Sequence, residues 1–152
     1  MRTLGIRVSP TSVVFVIFDT EEMRIINIEE IKIPAAFSWP DALKYVRNNI
    51  LDILREYQVS KAGIRVIESN AQNPSIERIQ IEGVIQEAFA SSGLEAYYIG
   101  QISSISARIG IPRGDFKKYV SDGLNFEQIE NWEFLADKGK EAVFCALGAI
   151  DA

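Results

Sequence analysis

Thr3-Leu-Gly-Ile-Arg-Val8, then Ser9-Pro-Thr-Ser12, then Val13-Val-Phe-Val-Ile-Phe-Asp19 is the stretch that decides how the rest of the chain reads. Two short runs rich in β-branched and aromatic residues flank four residues of turn chemistry, which predicts two strands joined as a hairpin. A polar turn at Thr20-Glu21-Glu22 leads into Arg24 to Ile33, where Ile26, Ile28 and then Ile31, Ile33 keep near-alternate spacing. The Glu29-Glu30 step between those pairs shifts the phase by one, as a bulge or an edge strand would. Three successive strands with no helix between them form an antiparallel meander.

Downstream the periodicity changes. Pro34 and Pro40 bracket a connector, and Leu43, Val46, Ile50, Leu54 and Tyr57 then recur every three or four residues along a helix opened by Pro40 and Asp41. Ala62 to Glu68 reads as a fourth strand and Ser69 to Pro74 as a polar loop. Ile76, Ile79, Val84 and Phe89 mark a second helix that ends near Gly93. Leu94 to Ile99 is a fifth strand, followed by a helical stretch through Arg108 and a loop with a short helix over Gly110 to Val120. Asn131 is placed to cap a helical region containing Trp132, Phe134 and Leu135, and Glu141 to Ile150 is an apolar helix. An antiparallel meander followed by βαβ crossovers defines a mixed-sheet α/β layout.

A chain of 152 residues fits one domain over 1–152 and can bury about 70% of its unfolded surface without disulfides. Sixteen Lys and Arg against twenty-one Asp and Glu leave a net charge of −5, the wrong sign for bulk attraction to phosphate, so nucleic-acid binding needs a local basic patch. There is no histidine and one cysteine, Cys145, which excludes an internal disulfide and the common zinc sets. Any metal must be held mainly by oxygen. Cys145 has no histidine to act as its base and reads as a small packing residue. The longest apolar run, Val13 to Phe18, is too short for a signal sequence or a membrane span, so the expected address is the cytoplasm, with no membrane partner.

With these elements in order, the residues resemble the RuvC branch of the RNase H-like superfamily, which includes Holliday junction resolvases and YqgF-like nucleases. Leu4-Gly-Ile-Arg-Val-Ser-Pro10 resembles the family's opening strand, Ile64-Arg-Val-Ile-Glu68 its glutamate ending the fourth strand, and Gly110 to Val120 its loop with a lysine before a short helix. Lys138-Gly-Lys-Glu141 resembles the second half of the acidic pair that opens the family's last helix. The resemblance implies a mixed five-stranded RNase H-like sheet, with the antiparallel meander followed by parallel βαβ units and flanked by helices. It also implies a site where carboxylates hold two divalent cations.

The departures from that pattern fall on the site itself. Arg7 stands where the resemblance places the first metal-ligand aspartate, and arginine, always protonated, cannot ligate Mg²⁺ or Mn²⁺. Lys138 replaces the first acid of the last pair, leaving Glu68, Glu141 and Asp137 as the vestigial acidic set; Asp137 and Glu141 share a helix face at i, i+4. Arg7 is expected to fill the place of the lost metal and to pair with Glu68 and Glu141.

Three functions follow. The first is a non-catalytic RNase H-like binding or scaffold module, a pseudonuclease without a cofactor. The second is a nuclease or resolvase that uses Mg²⁺ or Mn²⁺ on a rearranged set of Glu68, Glu141, Asp137 and Asp19, with Arg7 as a phosphate clamp. The third is an oligomeric protein-interaction subunit. The expected partners are branched or single-stranded nucleic acid, met by a patch of Arg113, Lys117 and Lys118, or a protein, including a second copy of the chain. Phe37 and Trp39, in the connector, either cover the sheet edge or anchor a partner.

Overall fold

A computed structural model describes residues 1–152. Its sheet is built from β1 (Arg2–Ser9), β2 (Ser12–Asp19), β3 (Arg24–Lys32), β4 (Lys61–Arg65) and β5 (Ala96–Gly100). The strand order is β3-β2-β1-β4-β5. The meander β1-β2-β3 is antiparallel, and β4 and β5 join β1 in parallel register. Arg7 therefore lies directly beside Arg65 across the β1/β4 pair. The fold is the mixed five-stranded α/β sheet that the element order implies. No helix is long and apolar enough to cross a membrane.

Alternation along the strands divides the core between two faces. On one face, Leu4, Ile6 and Val8, Val13, Phe15 and Ile17, and Ala62 and Ile64 pack beneath α1 (Trp39–Glu56) and α2 (Ile76–Ser91). On the other, Val14, Val16 and Phe18 pack with Tyr98, Phe144 and Trp132 beneath α3 (Ile102–Ile109), α4 (Phe116–Ser121) and α5 (Asp137–Gly148). β2 is apolar from Val13 to Phe18 because both its faces are covered there. The residues of β1 and β4 on the α5 side are Thr3, Gly5, Arg7 and Ser9, and Lys61, Gly63 and Arg65. Apart from the small residues among them, they are cationic.

Several elements begin or end elsewhere than their sequence suggests. The irregularity in the meander falls at Ile26, which has no partner between the Ile17/Asn27 and Phe18/Ile25 pairs, and not at Glu29-Glu30; β3 is, as its pattern allows, an edge strand. Pro40 and Asp41 lie in the first turn of α1 as expected, and Ser38 caps it, its hydroxyl accepting the Asp41 N–H at 3.4 Å. In α2 the buried face is Ile81, Ile85, Ala88 and Phe89, whereas Ile76 and Ile79 are exposed. That rotation turns Glu82 inward, where it accepts the Ile67 N–H at 3.1 Å and pairs with Arg78. Asn131 takes a left-handed conformation and makes no cap; only one 3₁₀ turn follows it, with Trp132 buried and Phe134 exposed.

Candidate functional site

β1 and β4 run parallel, so their carboxyl ends open on the same side of the sheet, and the loops that follow them border one crevice. Alternation sends Arg7, near the end of β1, and Arg65, the last residue of β4, toward the start of α5. The acid they meet is Glu141. Arg7 Nε donates to Glu141 Oε2 at 2.8 Å, and Arg65 Nε lies 3.0 Å from Oε1, close enough for an ion pair but not aligned as a hydrogen bond. The three side chains retain only 15%, 9% and 10% exposure for Arg7, Arg65 and Glu141, so each charge depends on the others. Each guanidinium also donates to a carbonyl of its own chain end, Arg7 Nη1 to Val8 and Arg65 Nη1 to Val66.

Glu68 lies three residues beyond the end of β4 instead of closing the strand. Its Oε2 accepts the Ile102 N–H at 3.2 Å, so the carboxylate meets the first turn of α3, where the unpaired N–H groups of a helix favour a negative group. Its nearest cation is Arg65, Nη2 at 3.9 Å, and not Arg7. Arg7 therefore pairs with one of its two expected acids, and the other goes to its strand neighbour.

A third arginine completes the group. Arg78, in the first turn of α2, donates from Nε to Glu82 Oε2 at 2.7 Å. Arg7, Arg65 and Arg78 line one cavity of about 360 Å³ together with Pro10, Glu68 and the 71–75 loop. Burial, followed by repulsion from Arg7 and then Arg65, lowers the Arg78 pKa, and its pair with Glu82 opposes the shift.

The remaining expected site residues lie elsewhere. Asp137 is exposed at the first residue of α5, where it lines a different cavity beside Ile28, Glu29 and Glu30 of β3. Its helix begins four residues earlier than the apolar pattern indicates, which puts Glu141 in the second turn. Asp19 is at the far end of β2, beside Arg2, and its carboxylate accepts the Glu21 N–H at 2.9 Å; that bond is the largest cause of its lowered pKa. Arg113, Lys117 and Lys118 are exposed around the start of α4, and Lys118 Nζ lies 3.4 Å from Asp115. Phe37 is partly exposed and packs edge-on against Tyr45, while Trp39 Nε1 donates to Gln80 on α2.

No three or more Asp, Glu, Cys or His side chains come close enough together to hold a metal ion. Around Glu141 the donor set is guanidinium on both carboxylate oxygens, which does not fit a divalent cation, because a metal would displace at least one arginine and leave its charge buried.

Arg65, Arg78 and Glu82 are the members of this site that sequence reasoning missed. Arg65 shares a strand face with Gly63 and Lys61, but only the β1/β4 register places that face beside Arg7. Cys145 is buried, and desolvation, with the Glu141 charge adding to it, pushes its thiol up to about 12. At pH 8 to 9 it stays protonated and shielded, so alkylation by iodoacetamide is expected to follow the rate of global unfolding. Labelling faster than unfolding would show an open route to α5.

No model of a known protein family matches the chain, and no curated protein matches it by sequence. Solved structures do. Thermus thermophilus RuvC superposes with a TM-score of 0.74 at 13% identity over 97% of this chain and 92% of that one. The same protein in complex with Holliday junction substrate gives 0.73 at 12% identity over the same shares. The yeast mitochondrial Holliday junction resolvase gives 0.63 at 11% identity, over 97% of this chain and 78% of that one. At such identities the likeness is one of fold, and the chain has the RNase H-like α/β fold in the form taken by RuvC and other Holliday junction resolvases.

Proposed function

We propose that the chain is a non-catalytic RuvC-like module that binds branched or single-stranded nucleic acid, its former metal site closed by arginine. The observation that carries this reading is Glu141 held on both oxygens by Arg7 and Arg65. Two-metal hydrolysis requires carboxylates that keep two cations about 3.5–4 Å apart, with open coordination for the attacking and leaving oxygens. Here the central carboxylate faces guanidinium instead. Without metals, the acidic chain has only local positive charge to offer a phosphate backbone. Arg113, Lys117 and Lys118 supply one exposed patch of it. That RuvC binds Holliday junction substrate in this fold makes a junction the first ligand to test.

The test is fluorescence anisotropy of a labelled four-way junction across a salt series, with and without Mn²⁺, each sample then run on a denaturing gel. Expected are binding that weakens steeply with salt, no dependence on Mn²⁺ and uncut strands. Replacing Lys117 and Lys118 by alanine is expected to reduce the slope of log K against log salt by about 2, at roughly 0.9 for each phosphate that a lysine no longer neutralises. Mn²⁺-dependent cutting that disappears in Glu68→Gln would establish a nuclease and overturn the reading. An absence of junction and single-strand binding at low salt would leave the fold with a protein-interaction role.

A further inference from the structure

Arg7, Arg65 and Arg78 do more than balance Glu141 and Glu82. They come from three elements, β1, β4 and α2, and converge on a single cavity of about 360 Å³ whose only acidic lining residue is Glu68. Glu141 and Glu82, which hold the arginines in place, do not line it. The carboxylates are thus spent on the Nε edges, and the rest of the guanidinium groups is left at the wall.

Each guanidinium keeps a donor that the protein does not fully satisfy. Arg7 uses Nε on Glu141 and Nη1 on the Val8 carbonyl, leaving Nη2 without an acceptor from the protein. Arg78 uses Nε on Glu82, and its Nη2 is buried with no hydrogen-bond partner. Arg65 places Nη1 on Val66 and has only Glu68, 3.9 Å away, near Nη2. A guanidinium donor without an acceptor is costly, and an ionised oxygen entering the cavity would relieve it at the Nη2 atoms of Arg7 and Arg65, which are not buried, while Arg78 Nη2 lies behind the wall. Beside Arg78, Ser75 caps α2 and also lines the cavity, placing the positive end of a sixteen-residue helix dipole at the same wall. The 71–75 loop over the cavity carries no charge.

We propose that this cavity is a phosphate-binding site for a nucleic-acid strand, with Arg7, Arg65 and Arg78 as its ligands. Guanidinium forks match phosphate oxygens geometrically, and arginine stays charged when partly desolvated, which suits a pocket where three cations stand close together. Their mutual repulsion, offset in part by Glu141, Glu82 and Glu68, is relieved further by an anion and would be increased by a metal cation. The lowered Arg78 pKa, caused first by burial and then by Arg7, is in keeping with that crowding. The inference rests on the reading that arginine has replaced metal at this end of the sheet, and it gives that closed site a ligand.

The test is titration of ¹⁵N-labelled protein, following the arginine Nε–Hε resonances. Three probes are used: inorganic phosphate, a short single strand with a 5′-phosphate, and the same strand without it. Inorganic phosphate is expected to shift the Arg7, Arg65 and Arg78 resonances with a dissociation constant on the order of 1 mM. Tighter binding of the 5′-phosphorylated strand would identify a strand end as the source of the phosphate, and equal binding of the two strands an internal diester.

Two variants keep the result independent of folding. Gln72→Glu places a negative charge in the exposed loop at the cavity mouth, and Arg78→Lys keeps the charge next to Glu82 but removes the fork. Each is expected to weaken phosphate binding on the order of tenfold. The proposal is overturned if phosphate leaves the three resonances unmoved, or if both variants bind as the wild type does. A parallel Mn²⁺ titration separates the two failures. Saturable Mn²⁺ binding lost in Glu68→Gln would bring down the arginine-closed reading itself, whereas indifference to both Mn²⁺ and phosphate would sink only the phosphate site.

Discussion

Truncating Glu141 to alanine is expected to destabilise the protein by about 3–5 kcal/mol, measured as a lowered urea midpoint at unchanged slope. The magnitude follows from what the carboxylate leaves behind. Arg7 and Arg65 sit side by side across a parallel strand pair, so their guanidinium groups repel one another, and Glu141 is the acid that contacts both. With Glu141 gone, two nearly buried positive charges face each other, and Glu68, 3.9 Å from Arg65 and already bonded to the Ile102 N–H, is poorly placed to replace it. Glu141→Gln keeps the shape and one acceptor but loses the charge, and is expected to fall between alanine and wild type. A buried ion group can also be replaced outright by apolar residues at little cost, so the triple variant Arg7→Met, Arg65→Met, Glu141→Leu is expected to recover most of the lost stability. A loss below about 1 kcal/mol in Glu141→Ala would show that water reaches the arginines freely and that the group is not an internal one.

That ion group also marks how far the residues alone carry the reading. Arg7 is legible as a charge needing an acid, because it interrupts an apolar strand that must be covered on both faces. Glu141 is legible as its partner through the resemblance of the last helix. Arg65 is not, because nothing local says that β4 will lie against β1 in the register that puts residue 65 beside residue 7. The same limit explains α2. Its apolar positions allow more than one helical face, and burying Glu82 looks unfavourable until Arg78 and the Ile67 N–H are seen to meet it. Glu68 is the converse case: its residue type carries the resemblance, but that one of its oxygens accepts from the first turn of α3 is visible only in the fold. The fold was readable because alternation and helical spacing are local properties. The site was half readable because its charges are balanced between elements far apart in the chain.

The strongest dependence of site on fold lies at Gly5, and its replacement by alanine is expected to cost about 3 kcal/mol or more. Gly5 lies between Thr3 and Arg7 in the α5-facing row of β1, and α5 passes over it backbone to backbone. A Cβ there would overlap the Ala142 carbonyl oxygen and stand 2.5 Å from the Ala146 amide nitrogen. Neither is the tip of a side chain that could swing away, so α5 as a whole must lift from the sheet. The Thr3 hydroxyl, which donates to the Ala146 carbonyl at 2.9 Å one step along the same row, would lose its acceptor in that shift. So would Arg7, because Ala142 is the immediate neighbour of Glu141: a helix displaced at residue 142 carries the carboxylate away from both guanidiniums. Gly5→Ala is therefore expected to lower the unfolding midpoint and, in whatever fraction remains folded, to change the Arg7 and Arg65 Nε–Hε resonances together. Gly93→Ala is the control, since a Cβ at that position meets nothing within 4 Å. If Gly5→Ala were as stable as Gly93→Ala, α5 would not be seated on β1 at the spacing that brings Glu141 to the two arginines, and the closed site would lose its structural basis.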